Sequence, residues 1–114
     1  PWEKSMLQEI ERGIAYANLG FNPMNNGETI IINVPPLTEE RRKDLAKQAK
    51  SEAEDAKVSI RTARKDANND IKKNDDVSED LKKNAEIDVQ QMTDTYVKKV
   101  DDLFDSKEKE IMTV

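Results

Sequence analysis

Residues 39–73, EERRKDLAKQAKSEAEDAKVSIRTARKDANNDIKK, decide the fold, because this long stretch holds neither glycine nor proline. At about 1.5 Å per residue it makes one helix on the order of 50 Å long. Leu45, Ala49, Ala53, Ala56, Ile60, Ala63, Ala67 and Ile71 step by threes and fours, the period of a single helical face. Most of that face is alanine, so a partner helix can approach closely but gains little from each contact. Thr38 stands where an N-cap belongs, and Glu39 with Glu40 places negative charge in the first turn, where the helix dipole favours it.

Outward toward the C-terminus, Lys72-Lys73-Asn74-Asp75-Asp76-Val77 reads as a short polar connection, and Ser78 followed by Glu79 and Asp80 opens a second helix, over 79–112. Leu81, Ala85, Val89, Met92, Tyr96, Val100 and Leu103 form its apolar stripe, with Phe104 and Ile111 adding bulk near the end. Two long helices joined by so short a turn are expected to lie antiparallel. A pair alone buries only one narrow seam, so a third helix is wanted.

Outward toward the N-terminus, Pro35 and Pro36 separate this helical region from a stretch of different character, since each proline fixes φ and pushes the residue before it toward an extended conformation. Met6, Ile10, Ile14 and Ala17 predict a helix over 5–19, with Ser5 as its N-cap, Gly20 as its left-handed stop and Pro23 blocking continuation. Asn25-Asn26-Gly27 reads as a turn into Thr29–Val34, where Ile30, Ile31 and Ile32 look like a strand buried on both faces. Nothing later in the chain reads as its ladder partner, and Pro1 with Trp2 suggests the frayed end of a second strand. Residues 1–34 are therefore expected to be the remnant of a small α/β unit in a truncated sequence.

Composition excludes much chemistry. There is no cysteine and no histidine among 114 residues, which removes disulfides, thiolate nucleophiles, His-based triads and the common zinc sites. Aromatics at 4% leave too little for a β-sandwich or barrel. There is no glycine-rich phosphate loop, and the acidic group Asp75, Asp76, Glu79 and Asp80 lacks the central glycine of a calcium loop, so capping and solvation explain it better. The expectation is no enzyme, no cofactor and no metal. No apolar run approaches bilayer length, so no membrane partner is expected.

The chain is acidic, at -5, yet one flank of helix 39–73 gathers basic residues. At about 100° per residue, Lys57, Arg61, Arg64 and Lys65 fall together beside the apolar seam, with only Glu54 intruding, whereas Glu52, Asp55, Asp66 and Asp70 fall on the other flank. Arginine presents a planar fork suited to phosphate, so these four are the candidate nucleic-acid ligands. The alternative is that they form i,i+4 ion pairs on a solvated helix.

Three ordered runs, Leu19-Gly20-Phe21-Asn22-Pro23, Val34-Pro35-Pro36-Leu37-Thr38-Glu39-Glu40-Arg41-Arg42-Lys43 and Arg61-Thr62-Ala63-Arg64-Lys65-Asp66-Ala67-Asn68, closely resemble the bacterial ribosome recycling factors. The match continues through Ser78-Glu79-Asp80 and the last helix, and so covers essentially the whole chain. The resemblance implies an L-shaped, cytoplasmic, non-enzymatic protein, with a three-helix bundle and a smaller α/β domain joined by hinge strands. It implies action with elongation factor G to split ribosomes after termination, with the bundle against large-subunit ribosomal RNA. The positions matching the arginine motif of the central helix are Arg61, Arg64 and Lys65. The family's first bundle helix and most of its small-domain strands have no counterpart in the sequence.

Together these readings predict a mainly α fold: two long antiparallel helices of a three-helix bundle (39–114), a helix and one strand of a small α/β domain (1–34), and a hinge at Val34, Pro35, Pro36, Leu37 and Thr38. A rival reading is a helical hairpin used only for protein association. An apolar groove left for a third helix is expected to make the chain self-associate or pair with a missing N-terminal segment.

Overall fold

The computed structural model describes every residue from Pro1 to Val114, and two long helices, α2 (Glu39–Lys73) and α3 (Glu79–Met112), account for most of them. Each begins on the cap that the sequence predicts. Thr38 is extended, and its hydroxyl oxygen accepts the Arg41 N–H at 3.0 Å; Ser78 does the same for the Leu81 N–H at 3.3 Å. Between them Asn74 ends α2, and its side-chain Oδ1 accepts the Asp76 N–H at 3.1 Å, so the connection is an Asx turn. No group of three or more carboxylates comes together there or elsewhere as a cation site.

Four polar ties run between the helices. Arg42 Nη1 donates to the carbonyls of Ile111 at 2.6 Å and Thr113 at 2.7 Å, Lys57 Nζ donates to Asp101 Oδ1 at 3.0 Å, Arg64 Nη1 reaches Gln90 Oε1 at 3.5 Å, and Lys82 Nζ reaches the Lys72 carbonyl at 3.4 Å. Positions climb along α2 as they fall along α3, which is the antiparallel hairpin expected from the short turn. The seam between them is half-buried, with Leu45, Ala49, Ala53, Ile60, Ala67 and Ile71 of α2 and Ala85, Val89, Val97, Val100 and Phe104 of α3.

The apolar stripe of α3 does not behave as one surface. Thr93, about 100° round the helix from Met92, is the one buried side chain of this unit at 7% exposure, and its hydroxyl donates to the Val89 carbonyl at 2.8 Å. Met92 and Tyr96, which the periodicity marks as core, are 55% and 53% exposed, and Leu81 and Leu103 also face water. On α2, Ala56 and Ala63 are exposed. One edge of each stripe packs; the other lies open.

The chain divides into two compact units, Pro1–Leu37 and Thr38–Val114. In the first, a 3₁₀ turn (Lys4–Met6) leads into α1 (Leu7–Tyr16), and two strands follow, β1 (Pro23–Asn25) and β2 (Ile30–Ile32). Three sequence expectations are corrected here. Ser5 caps nothing: it lies inside the 3₁₀ turn, where the Met6 N–H donates to the Glu3 carbonyl. Asn18, at φ 51, makes the left-handed step that ends α1 before Gly20 is reached, as the short polar side chain of asparagine tolerates that region. The strand at Ile30–Ile32 is not alone, since β1 pairs with it antiparallel in the register Pro23↔Ile32, Met24↔Ile31, Asn25↔Ile30. Proline opening that strand hid it from a pattern reading, although the first residue of a strand is one of the places proline fits a sheet.

Asn26 organises the hairpin loop. Its Oδ1 accepts the N–H groups of Glu28 at 3.0 Å and Thr29 at 2.8 Å, its own N–H donates to the Thr29 carbonyl, and Gly27 takes φ 88. The strand is not buried on both faces either: Ile31 and Ile32 are exposed. The core of this unit is Leu7, at 3% exposure, a residue that the apolar spacing of α1 passes over. Trp2 is fully exposed and forms no strand.

Candidate nucleic-acid interface

The helical repeat puts Arg61, Lys65, Asn68, Asn69 and Lys72 on successive turns of one flank of α2. They line an open groove of about 560 Å³, together with Val58, Thr62, Arg64 and, from α3, Gln90. Arg61 and Lys65 are exposed and Arg64 is half-buried. Gln90 is oriented from behind, because its Nε2 donates to Asp94 Oδ1 at 2.9 Å, which turns its Oε1 toward Arg64. The Thr62 hydroxyl is already committed, donating to the Val58 carbonyl at 2.9 Å. Asn68 holds its Oδ1 out of water without a donor, so one polar group beside the groove is unsatisfied.

Lys57 is placed differently from the other three predicted ligands. It does not line the groove. Its Nζ sits 3.0 Å from Asp101 Oδ1 of α3 and 3.0 Å from Glu54 Oε1 of α2, and its side chain is only 14% exposed. The hydrogen bond it donates to Asp101, then that to Glu54, raises its pKa above the ordinary 10.5, so its charge is engaged within the hairpin. Glu54, which in the sequence is the one acid among the bases, is there to hold Lys57.

Arg61, Arg64, Lys65 and Lys72 form none of the ion pairs of the structure, which instead engage Lys4, Arg12, Lys43, Lys57, Lys82, Lys98 and Lys107. An array of i,i+4 pairs would have neutralised the flank. Instead, exposed Arg61, Lys65 and Lys72 and half-buried Arg64, with amide groups between them, line one side of the helix, an arrangement able to accept a line of phosphates. Lys72 is one the sequence reading assigned to the connection, although it lies two turns beyond Lys65 in the same row. Asn68 and Asn69 were hidden by carrying no charge, and Gln90 by depending on the register of α3 against α2.

Fold and site together define a helical hairpin carrying a free basic flank, attached in sequence to a small α/β unit. The ribosome recycling factor family model matches residues 1–112. The ribosome-recycling factor of Flavobacterium johnsoniae is 66% identical across the whole chain, and that of Christiangramia forsetii 64%. A solution structure of ribosome recycling factor superposes with a TM-score of 0.72 at 38% identity, covering 99% of this chain and 61% of that one. The chain belongs to the ribosome recycling factor family. It spans 62% of the length of each of those two relatives.

Proposed function

We propose that the chain serves ribosome recycling, the disassembly of the post-termination ribosome together with elongation factor G, and that it binds large-subunit ribosomal RNA through the flank of α2. Family membership supports the process. The observation that carries the RNA assignment is that Arg61, Arg64, Lys65 and Lys72 share one groove with no carboxylate paired to any of them. Arg61 and Lys65 contact phosphates, Arg64 is steadied by Gln90, and Lys57 acts only as an internal strut. The protein needs no cofactor for this role, because its part is to bind and the partner GTPase supplies the energy.

The segment Val34, Pro35, Pro36, Leu37 and Thr38 serves as the hinge. It contains no helix or strand residue, and two adjacent prolines make an extended joint without a full set of backbone donors. Reorientation of the first unit about this joint is the movement that the proposal requires. The RNA assignment is tested by binding to isolated large ribosomal subunits at matched low salt. Arg64→Glu is expected to weaken binding, and Lys47→Glu, a change outside the groove, is expected to leave it; equal affinities would refute the assignment.

A further inference from the structure

Asn68 lines the basic groove between Lys65 and Lys72, which lie about 10.5 Å apart along the axis of α2. Resting on the RNA reading above, we infer that Asn68 is the residue by which the groove tells RNA from DNA, its amide oxygen accepting a hydrogen bond from a ribose 2′-hydroxyl.

The inference starts from an oxygen without a partner. Asn68 Oδ1 is withdrawn from water and accepts no hydrogen bond, a state that costs free energy in the absence of a ligand. The groove around it offers cations and amides, and a phosphate brings further acceptors. Along a nucleic-acid backbone the phosphate, ester and ring oxygens all accept; the 2′-hydroxyl is the one donor, and DNA lacks it. Base amines also donate, but a splayed base is held by stacking on an aromatic ring, and none of Val58, Arg61, Thr62, Arg64, Lys65, Asn68, Asn69, Lys72 and Gln90, which line the groove, is aromatic. With cations on either side of it to take successive phosphates, Asn68 is left opposite the sugar. The amide reaches that sugar by half a revolution about χ2, a broad torsion, which carries Oδ1 outward and Nδ2 inward. The inward side can receive Nδ2. Arg64 meets Gln90 at 3.5 Å and Lys82 meets the Lys72 carbonyl at 3.4 Å; midway between those two rungs, Asn68 of α2 is level with Glu86 of α3. Glu86 is half-buried and belongs to none of the ion pairs, so its carboxylate is free to accept from Nδ2.

The test measures binding of the 114-residue chain, at matched low salt, to a short RNA duplex and to the same duplex carrying 2′-fluoro sugars, which keep the A-form pucker but cannot donate. The native chain is expected to prefer the hydroxyl duplex by about five- to tenfold, the worth of one hydrogen bond. Asn68→Leu is expected to bring the two affinities within about twofold of each other, and Asn68→Ala, which avoids any crowding by leucine, is expected to do the same. Asn69→Leu, in the same groove, is expected to alter both affinities alike and keep the preference. Thermal unfolding of Asn68→Leu is expected at or above the native midpoint, because the unsatisfied oxygen leaves with the amide. Equal affinity of the native chain for the two duplexes, or a preference that survives in both Asn68 variants, would overturn this inference while leaving the RNA reading intact. A lower midpoint in Asn68→Leu with the preference unchanged would make Asn68 structural. Failure to bind either duplex would overturn the RNA reading, and this inference with it.

Discussion

Replacing Lys57 by Met and Arg61 by Gln removes one positive charge in each case, from neighbouring turns of one helix, yet the two changes are expected to differ sharply in RNA binding. Four unpaired cations line the basic groove, Arg61, Arg64, Lys65 and Lys72. With each releasing about 0.7–0.9 counterions on meeting a phosphate, the logarithm of affinity falls with that of salt at a slope of about -2.8 to -3.6. Between about 50 and 200 mM salt this is a loss of roughly 50- to 150-fold. Arg61→Gln lowers the slope by about 0.7–0.9, so the same change of salt costs about threefold less. Lys57 is held 3.0 Å from each of two carboxylates and releases no counterion on binding, so Lys57→Met changes the slope by less than about 0.2. The assay is equilibrium binding of the chain to large-subunit ribosomal RNA at four or more salt concentrations. A slope reduced by about one in Lys57→Met, or unchanged in Arg61→Gln, would refute the division between groove ligand and internal strut.

Arg42→Met removes the two bonds from Nη1 to the carbonyls of Ile111 and Thr113; since those carbonyls can regain water, the expected cost is about 1–2 kcal/mol. Thermal unfolding should fall by about 5–10 °C, and amide exchange should rise first in the last turn of α3. The Lys57 clasp gives an alkaline signature. Its pKa is raised above 10.5 in the folded chain, so its stabilisation is complete below that value and fades as pH climbs through the folded pKa. The stability difference between the native chain and Lys57→Met should be constant from about pH 8 to about pH 10 and close above that range, as followed by denaturant titration. Spin labels placed by Ser5→Cys and Ser51→Cys should give a broad distance distribution across the Val34–Thr38 joint, and a single narrow distance would contradict the hinge.

The long helices were legible because their signals are local. Thr38 and Ser78 are caps, no breaker interrupts 39–73, and Asn74 to Val77 can only be a turn. Periodicity was less informative about depth. It marked Met92 and Tyr96 as core, but whether a face is covered depends on what lies against it, and in this chain one edge of each stripe is open. In the first unit the signals compete: Asn18 preempted the stop expected at Gly20, and Pro23 disguised a strand. The basic flank followed from the geometry of α2 alone, which is why Arg61, Arg64 and Lys65 were singled out together with Lys57. The capture of Lys57 by Asp101 and the arrival of Gln90 depend on the register between helices, which no single segment encodes.

Directed cleavage tests most directly whether the α2 flank faces ribosomal RNA. With no native cysteine, an iron chelate can be tethered at one site, through Asn69→Cys within the basic groove or Asp105→Cys on α3 outside it. On large ribosomal subunits, hydroxyl radicals from position 69 are expected to cut the RNA at a small set of nucleotides, with little cleavage from position 105. RNA untouched from position 69, or cut equally from both, would contradict an RNA-facing role for Arg61, Arg64, Lys65 and Lys72.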